Sequence, residues 1–280
     1  MEKAHAKVNL GLKILGRRED GFHDLVSICQ TVDLSDRLEF FPASSDRMSC
    51  SAPELACADN LVMRALSLCR RRMGGDHQPV HVHLEKRIPV GAGLGGGSAD
   101  AAAVLRAMAA ITGGQTDTDT LAAWGAALGS DVPFLVRGGT AVIRGRGEII
   151  EPVSCQRLEY VIAYPGVEVD TAWAYAQLRG LKLTPISAYA MFAGSLGGGR
   201  VDTDRLVELV DNDFQPIVER AKPIVADTRE QLLAAGAATA SLTGSGSAVY
   251  GIFDDRIAAA SAHSQLTAKG IRSFHCRTQD

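Results

Sequence analysis

Between Arg87 and Leu105 the chain reads RIPVGAGLGGGSADAAAVL, with five glycines in the seven positions from Gly91 to Gly97 and an alanine-rich run directly after them. Glycine is costly to order and is retained where the main chain must bend sharply or come close to something else. The flanks narrow the choice. Upstream, PVHVHLEKRIP alternates Val80, Val82 and Leu84 with His81, His83 and Glu85, the pattern of a strand with one buried face. Downstream, Ser98 to Ile111 holds strong helix formers and no proline, with Gly113-Gly114 as a stop. A connector has no need to sit between a strand and a helix's first turn. Backbone N–H groups of such a loop, together with the positive end of the helix, suit a phosphate. Ser98 either caps the helix or offers its hydroxyl to a phosphate or a phosphate-bound metal.

Two familiar phosphate loops fit poorly. Gly91, Gly93 and Gly96 satisfy G-x-G-x-x-G, but a dinucleotide-binding strand is buried on both faces, whereas this one carries His81, His83 and Glu85. Asp117, at the distance of a ribose-binding acid, falls in a polar linker. A Walker A loop needs a lysine after its glycines, and none follows here. His81 and His83 have a metal-like i, i+2 spacing without an evident third ligand, so a solvated strand face is expected. Lys86 and Arg87 either help hold phosphates or are exposed.

The net charge of −3 gives no basic footprint for nucleic acid, and no apolar run approaches the ~20 residues that span a bilayer. The six cysteines show no CxxC pair or zinc spacing, as expected of reduced thiols in a cytoplasmic protein. At the N-terminus, charges interleave with apolar residues, unlike a signal peptide. From Ala4 to Ile14 the even positions are apolar, and the odd ones put Lys7 and Asn9 on a polar face, which predicts a half-buried strand. A second helix is expected over Thr120 to Leu128, then a turn and a hairpin-like segment. Pro152 marks a boundary between domains at 1–152 and 153–280. Beyond it, LEYVIAYPG and SLTGSGSAVYGIF read as strands, and TDRLVELV, AKPIVADTREQLLAAG and DRIAAASAHSQLTAKG as helices. Ser195 to Arg200 forms a second glycine cluster, expected as a surface loop. Strands and helices mix in both halves without a strict β-α-β repeat, so the fold class is α+β.

PVGAGLGGGSADAA resembles the phosphate-binding motif of the kinase superfamily that includes galactokinase, homoserine kinase and mevalonate kinase. AKVNLGLKILG and SLTGSGSAVYGIF resemble two further motifs of that superfamily, in the proper order. AKVNLGLKILGRREDGFHDLVSI, GSDVPFLVRGGTAVIRGRGE and NDFQP make the chain similar to the family of 4-diphosphocytidyl-2-C-methyl-D-erythritol kinases. The resemblance implies a two-domain small-molecule kinase fold with the active site in the interdomain cleft. The N-terminal domain would bind ATP and the C-terminal α/β domain would serve the substrate side. It also implies ATP and Mg²⁺, and a cytidine-diphosphate-linked methylerythritol as the acceptor in isoprenoid precursor biosynthesis. On the matching positions, Lys7 and Asp131 would be the catalytic pair. Pro89, Gly91, Gly93, Leu94, Gly95, Gly96, Gly97, Ser98 and Ala99 would hold ATP. Asn9, Phe22, His23, Gly244, Ser245 and Gly246 would meet the acceptor. Phe22 stands where the family commonly has tyrosine, and Thr243 where it often has serine. Read without the resemblance, Asp131 could simply cap the VPFL segment. Another kinase of the superfamily, or a nucleotide sensor without catalysis, is the competing reading. DGFHDL speaks against the first, and the retention of Lys7 and Asp131 against the second.

Overall fold

The computed structural model describes residues 1–74, 77–113, 116–178, 200–201, 207 and 209–279. They form two compact units, the first comprising Met1–Ala6, Leu34–Pro89 and Gly95–Gly138, the second Lys7–Asp33, Val90–Leu94 and Gly139–Asp280. Two long strands, β1 (Glu2–Arg17) and β2 (His23–Pro42), run to 16 and 20 residues, against a usual five or six. Each lends residues to both units. The units therefore interleave along the chain, where the sequence suggested a single boundary at residue 152.

In the first unit follow β3 (Arg47–Cys50), α1 (Leu61–Met73), β4 (Val80–Glu85), α2 (Gly96–Ile111), α3 (Thr118–Gly125) and α4 (Val132–Arg137). The second half of β2 pairs antiparallel with β4, from Arg37↔Glu85 to Pro42↔Val80, and β3 joins β4 in parallel. As its alternation predicts, β4 buries Val80, Val82 and Leu84. His81 and His83 both meet Ser49 Oγ at 2.9 Å, so neighbouring β3 occupies the histidines that the spacing alone left solvated. Helix α2 is buried almost all round from Ala99 to Leu105, which marks it as the central helix of its unit, packed on α1 and α4. Helix α3 starts two residues earlier than expected, because the Asp117 carboxylate accepts the Thr120 N–H at 2.7 Å and caps it. Val132–Arg137, expected as a turn, is a helix with Pro133 in its first turn, where proline's missing N–H costs nothing.

The second unit holds a hairpin of β5 (Thr140–Gly145) and β6 (Ile149–Pro152), with β5 antiparallel to the first half of β2. Next come β7 (Ser154–Cys155), β8 (Glu159–Tyr164), α5 (Thr171–Gln177), β9 (Arg200–Val201) and β10 (Asp211–Asn212). They are followed by α6 (Gln215–Ala221), α7 (Pro223–Ala234), β11 (Thr239–Leu242), β12 (Val249–Phe253), α8 (Arg256–Ala268) and β13 (Arg272–Arg277). Strands β11-β12-β8-β13 make an antiparallel sheet, and β10 adds in parallel to β1 at Gly11↔Asp211. Val161, Ala163, Val249 and Phe253 of this sheet share a core with Val225 and Leu232 of α7 and Ala259 and Leu266 of α8. Antiparallel pairing dominates both units, which makes the fold α+β. The glycine cluster Ser195–Gly199 and most of the TDRLVELV segment lie outside the described residues.

One buried charge cluster holds the first unit's loop entrance. Lys86 is neither exposed nor turned to a phosphate; its ammonium lies 2.5 Å from Asp36 Oδ2 and 2.8 Å from Asp100 Oδ2. The other oxygen of Asp36 accepts the N–H groups of Arg87 and Ile88 at 2.5 and 2.8 Å, while Asp100 Oδ1 has no hydrogen-bond partner among the described residues. Burial pushes the Asp100 carboxyl up to about 8, with Asp36 adding to the rise and Lys86 opposing it. A carboxyl that holds its proton longer folded than unfolded costs stability as pH rises from about 4 to about 8. Asp100→Asn, which keeps the shape and removes the ionisation, is expected to flatten that decline. Urea midpoints of both proteins at pH 5 and pH 8 measure it, and parallel declines contradict it.

Candidate functional site

The glycine run is built from alternating backbone signs. Gly91, Gly93 and Gly95 have φ of 63°, 77° and 70°, while Gly96 and Gly97 already belong to α2. Its carbonyls are turned into the protein: Gly91, Ala92 and Leu94 accept N–H bonds from Val169, Ala248 and Lys7 at 3.4, 3.0 and 3.0 Å. At Gly93 a Cβ would stand 2.1 Å from the Thr243 carbonyl oxygen, and at Gly244 (φ 56°) one would stand 2.8 Å from the Gly93 carbonyl oxygen. The two turns thus lie against each other, backbone to backbone. Gly95 is the N-cap of α2, in the left-handed region and without a side-chain cap. Ser98 therefore does not cap; it lies inside the first turn, with its hydroxyl beside Gly129. Among the described residues no side-chain cap closes the start of α2, an arrangement suited to an anion.

Lys7 and Asn9 are buried, at 4% and 5% exposure, although alternation predicted a solvated face. The glycine loop and the Thr243–Gly244 turn cover that face. Lys7 Nζ donates to Asn9 Oδ1 at 2.7 Å, and the same oxygen accepts the Gly244 N–H at 2.9 Å. Asn9 Nδ2 donates to Ser27 Oγ at 2.8 Å and Cys29 Sγ at 3.2 Å. Thr243 Oγ1 accepts the Asn9 N–H at 3.1 Å, so the threonine hydroxyl ties the C-terminal turn to β1. The structure brings Lys7, Asn9, Gly93 and Gly244 together in the second unit. Asp131 belongs to the first unit, at the N-cap position of α4, and makes no side-chain cap there. Capping does not account for this aspartate.

Sequence reasoning missed the braces behind the Gly244 turn. Asn212 Nδ2 donates to the carbonyls of Leu242 and Gly244, both at 2.9 Å, and Gln215 Oε1 accepts the Leu242 N–H at 3.0 Å. NDFQP carries both residues, so the segment was visible while its task was not. Ser245 Oγ meets Thr171 Oγ1 at 2.9 Å at the start of α5.

Phe22 is no core aromatic: it is 51% exposed, with the Arg146 guanidinium 4.1 Å from its ring centroid. His23 stacks on Tyr175 with centroids 4.9 Å apart and planes at 29°, and Tyr175 meets Phe214 edge-on. No signal in the sequence joined Tyr175 to His23. Among the described residues there is no cluster of three or more His, Cys, Asp or Glu that could hold a metal. No helix among them is long and apolar enough to cross a membrane.

Residues 60–139 match the family model of the GHMP kinases N terminal domain, and residues 201–272 that of GHMP kinases C terminal. Fold and both matches are those of a GHMP kinase. The chain is 39% identical over 284 residues to the 4-diphosphocytidyl-2-C-methyl-D-erythritol kinase of Gloeobacter violaceus, covering 99% of this chain and 93% of that protein. It is 42% identical over 261 residues to the same-named protein of Solibacter usitatus, covering 91% and 81%. A crystal structure of a 4-(cytidine 5'-diphospho)-2C-methyl-D-erythritol kinase, 34% identical and covered fully on both sides, gives a TM-score of 0.80. A homoserine kinase from Cytophaga hutchinsonii shares the fold at 21% identity and TM-score 0.72, with 99% and 95% covered. The chain belongs to the 4-diphosphocytidyl-2-C-methyl-D-erythritol kinase family.

Gly93 is the most demanding position of the loop, since both its φ and its neighbour exclude a side chain. Gly93→Ala is expected to lower stability by about 1–3 kcal/mol and to raise the KM for ATP. Urea unfolding and initial rates measure the two effects, and a variant equal to wild type in both contradicts the close approach.

Proposed function

We propose that the chain transfers the γ-phosphoryl group of ATP to the 2-hydroxyl of 4-diphosphocytidyl-2-C-methyl-D-erythritol, a step of non-mevalonate isoprenoid precursor biosynthesis. The observation that carries the reading is the convergence of the glycine loop, Lys7 and the Gly244 turn on one another, in a chain of that kinase family. Nucleotide binding is assigned to the loop within 1–152, and the substrate side to 153–280 together with Asn9, Phe22 and His23 from the N-terminal part. The ATP phosphates lie along Pro89 to Ala99, where loop amides and the open start of α2 meet their charge. Mg²⁺ suits this site, because it is commonly held by substrate phosphates and only one or two protein oxygens, and the Ser98 hydroxyl is not spent on capping. When bound, it neutralises phosphate charge.

Phosphoryl transfer asks mainly for positioning and charge stabilisation. In this reading Asp131 takes the proton of the acceptor hydroxyl, and Lys7 orients that carboxylate and stabilises the developing alkoxide. Gly244, Ser245 and Gly246 face the acceptor's diphosphate or polyol end, supported by the contact of their turn with the glycine loop. Phe22 stacks on the cytosine and His23 hydrogen-bonds it, supported by the exposure of Phe22 and the aromatic wall that Tyr175 adds. Six free thiols suit a reducing compartment and a cytoplasmic location.

ATP consumption with the cytidylyl substrate, and none with homoserine or mevalonate, is the expected result. Turnover with either of the others, or ATP binding without turnover, overturns the assignment. Asp131→Asn is expected to lower kcat by about 10²–10⁴; a variant within twofold of wild type moves the base elsewhere. Phe22→Ala is expected to weaken cytidylyl-substrate binding by about 1–3 kcal/mol, as base stacking does elsewhere. Calorimetric titration measures it, and unchanged affinity removes Phe22 from the subsite.

A further inference from the structure

We propose that Arg146 is a positioning residue of the pyrimidine subsite, acting by holding Phe22 as a fixed stacking platform. The inference rests on the reading that Phe22 stacks on the base. An exposed phenylalanine on a loop would ordinarily move among rotamers, and fixing it at the moment of binding weakens affinity. Here the fixing is already built. The turn that carries Phe22 is closed by the Arg18 N–H on the Phe22 carbonyl at 2.8 Å and by the Phe22 N–H on Asp20 Oδ1 at 3.1 Å. Arg146 comes from the β5–β6 turn, between Gly145 (φ 70°) and Gly147 (φ 116°), so it is the side chain at the tip of a tightly bent G-R-G. Its backbone N–H is held by Glu148 Oε2 at 2.5 Å, and its guanidinium lies 3.8 Å from Asp20 Oδ2 while covering the Phe22 ring. Asp20 thus ties both partners: its one carboxylate oxygen fixes the backbone of Phe22 and its other attracts the cation above the ring. A planar ring has two faces. With the guanidinium on one, the base takes the other, and the ring arrives at binding already oriented. Among the described residues the hydrogen-bond, ion-pair and ring partners of Arg146 are Glu148, Asp20 and Phe22, none of them in the glycine loop, so its influence is expected on one substrate alone.

The test is steady-state kinetics on Arg146→Ala, Phe22→Ala and the double variant of the full chain, varying the cytidylyl substrate and ATP separately. Arg146→Ala is expected to raise the KM for the cytidylyl substrate about two- to fivefold, the size of an exposed cation–π contact. The KM for ATP and kcat stay at wild-type values, and in the Phe22→Ala background the same change has no further effect. An unchanged KM in Arg146→Ala, or an equal rise in the Phe22→Ala background, overturns the proposal. If Phe22→Ala itself leaves the KM unchanged, the base-stacking reading fails. If Phe22→Ala raises it and Arg146→Ala does not, only the role of Arg146 fails.

Discussion

The site depends on one close approach between two stretches of bare backbone. Gly93 lies against the Thr243 carbonyl and Gly244 against the Gly93 carbonyl, at separations that leave no room for a Cβ on either side. From that contact the rest is organised. Ala92 is tied to Ala248, Leu94 to Lys7, and Gly244 to Asn9, so the loop, the first strand and the C-terminal turn hold one another in place. Asn212 and Gln215 stiffen the turn from behind. Positioning of this kind is what phosphoryl transfer asks of a protein.

How much of this was legible depends on the range of the interaction. Local signals translated well: the β4 alternation gave its buried face, and the alanine run gave α2, though the helix begins at Gly96 because glycine in the left-handed region can start it without a side-chain cap. Motif order gave the family. What stayed hidden was burial by distant segments. Lys7 and Asn9 show a clean polar alternation, yet Leu94, 87 positions from Lys7, and Thr243, 234 positions from Asn9, cover them. Lys86 looked like a surface cation because its two carboxylates, Asp36 and Asp100, stand 50 and 14 residues away. Periodicity reports which face is apolar; it does not report what the polar face will meet.

Lys86 and Lys7 each have a hydrogen-bonded setting. Lys86 is enclosed by two carboxylates that both lie within hydrogen-bond distance, and removing the cation would strand buried negative charge at a cost of about 3–5 kcal/mol. That lysine is committed to structure. Lys7 donates to the amide oxygen of Asn9, whose own capacity is filled by Gly244, Ser27 and Cys29.

Gly95 leaves α2 beginning without a side-chain stopper, although serine, threonine or aspartate there would serve the helix better in isolation. The element is therefore an unfinished one, closed at its far end and open at the near end. In the proposed reading a nucleotide phosphate supplies the acceptor that glycine leaves out, so this helix gains its cap only while substrate is bound.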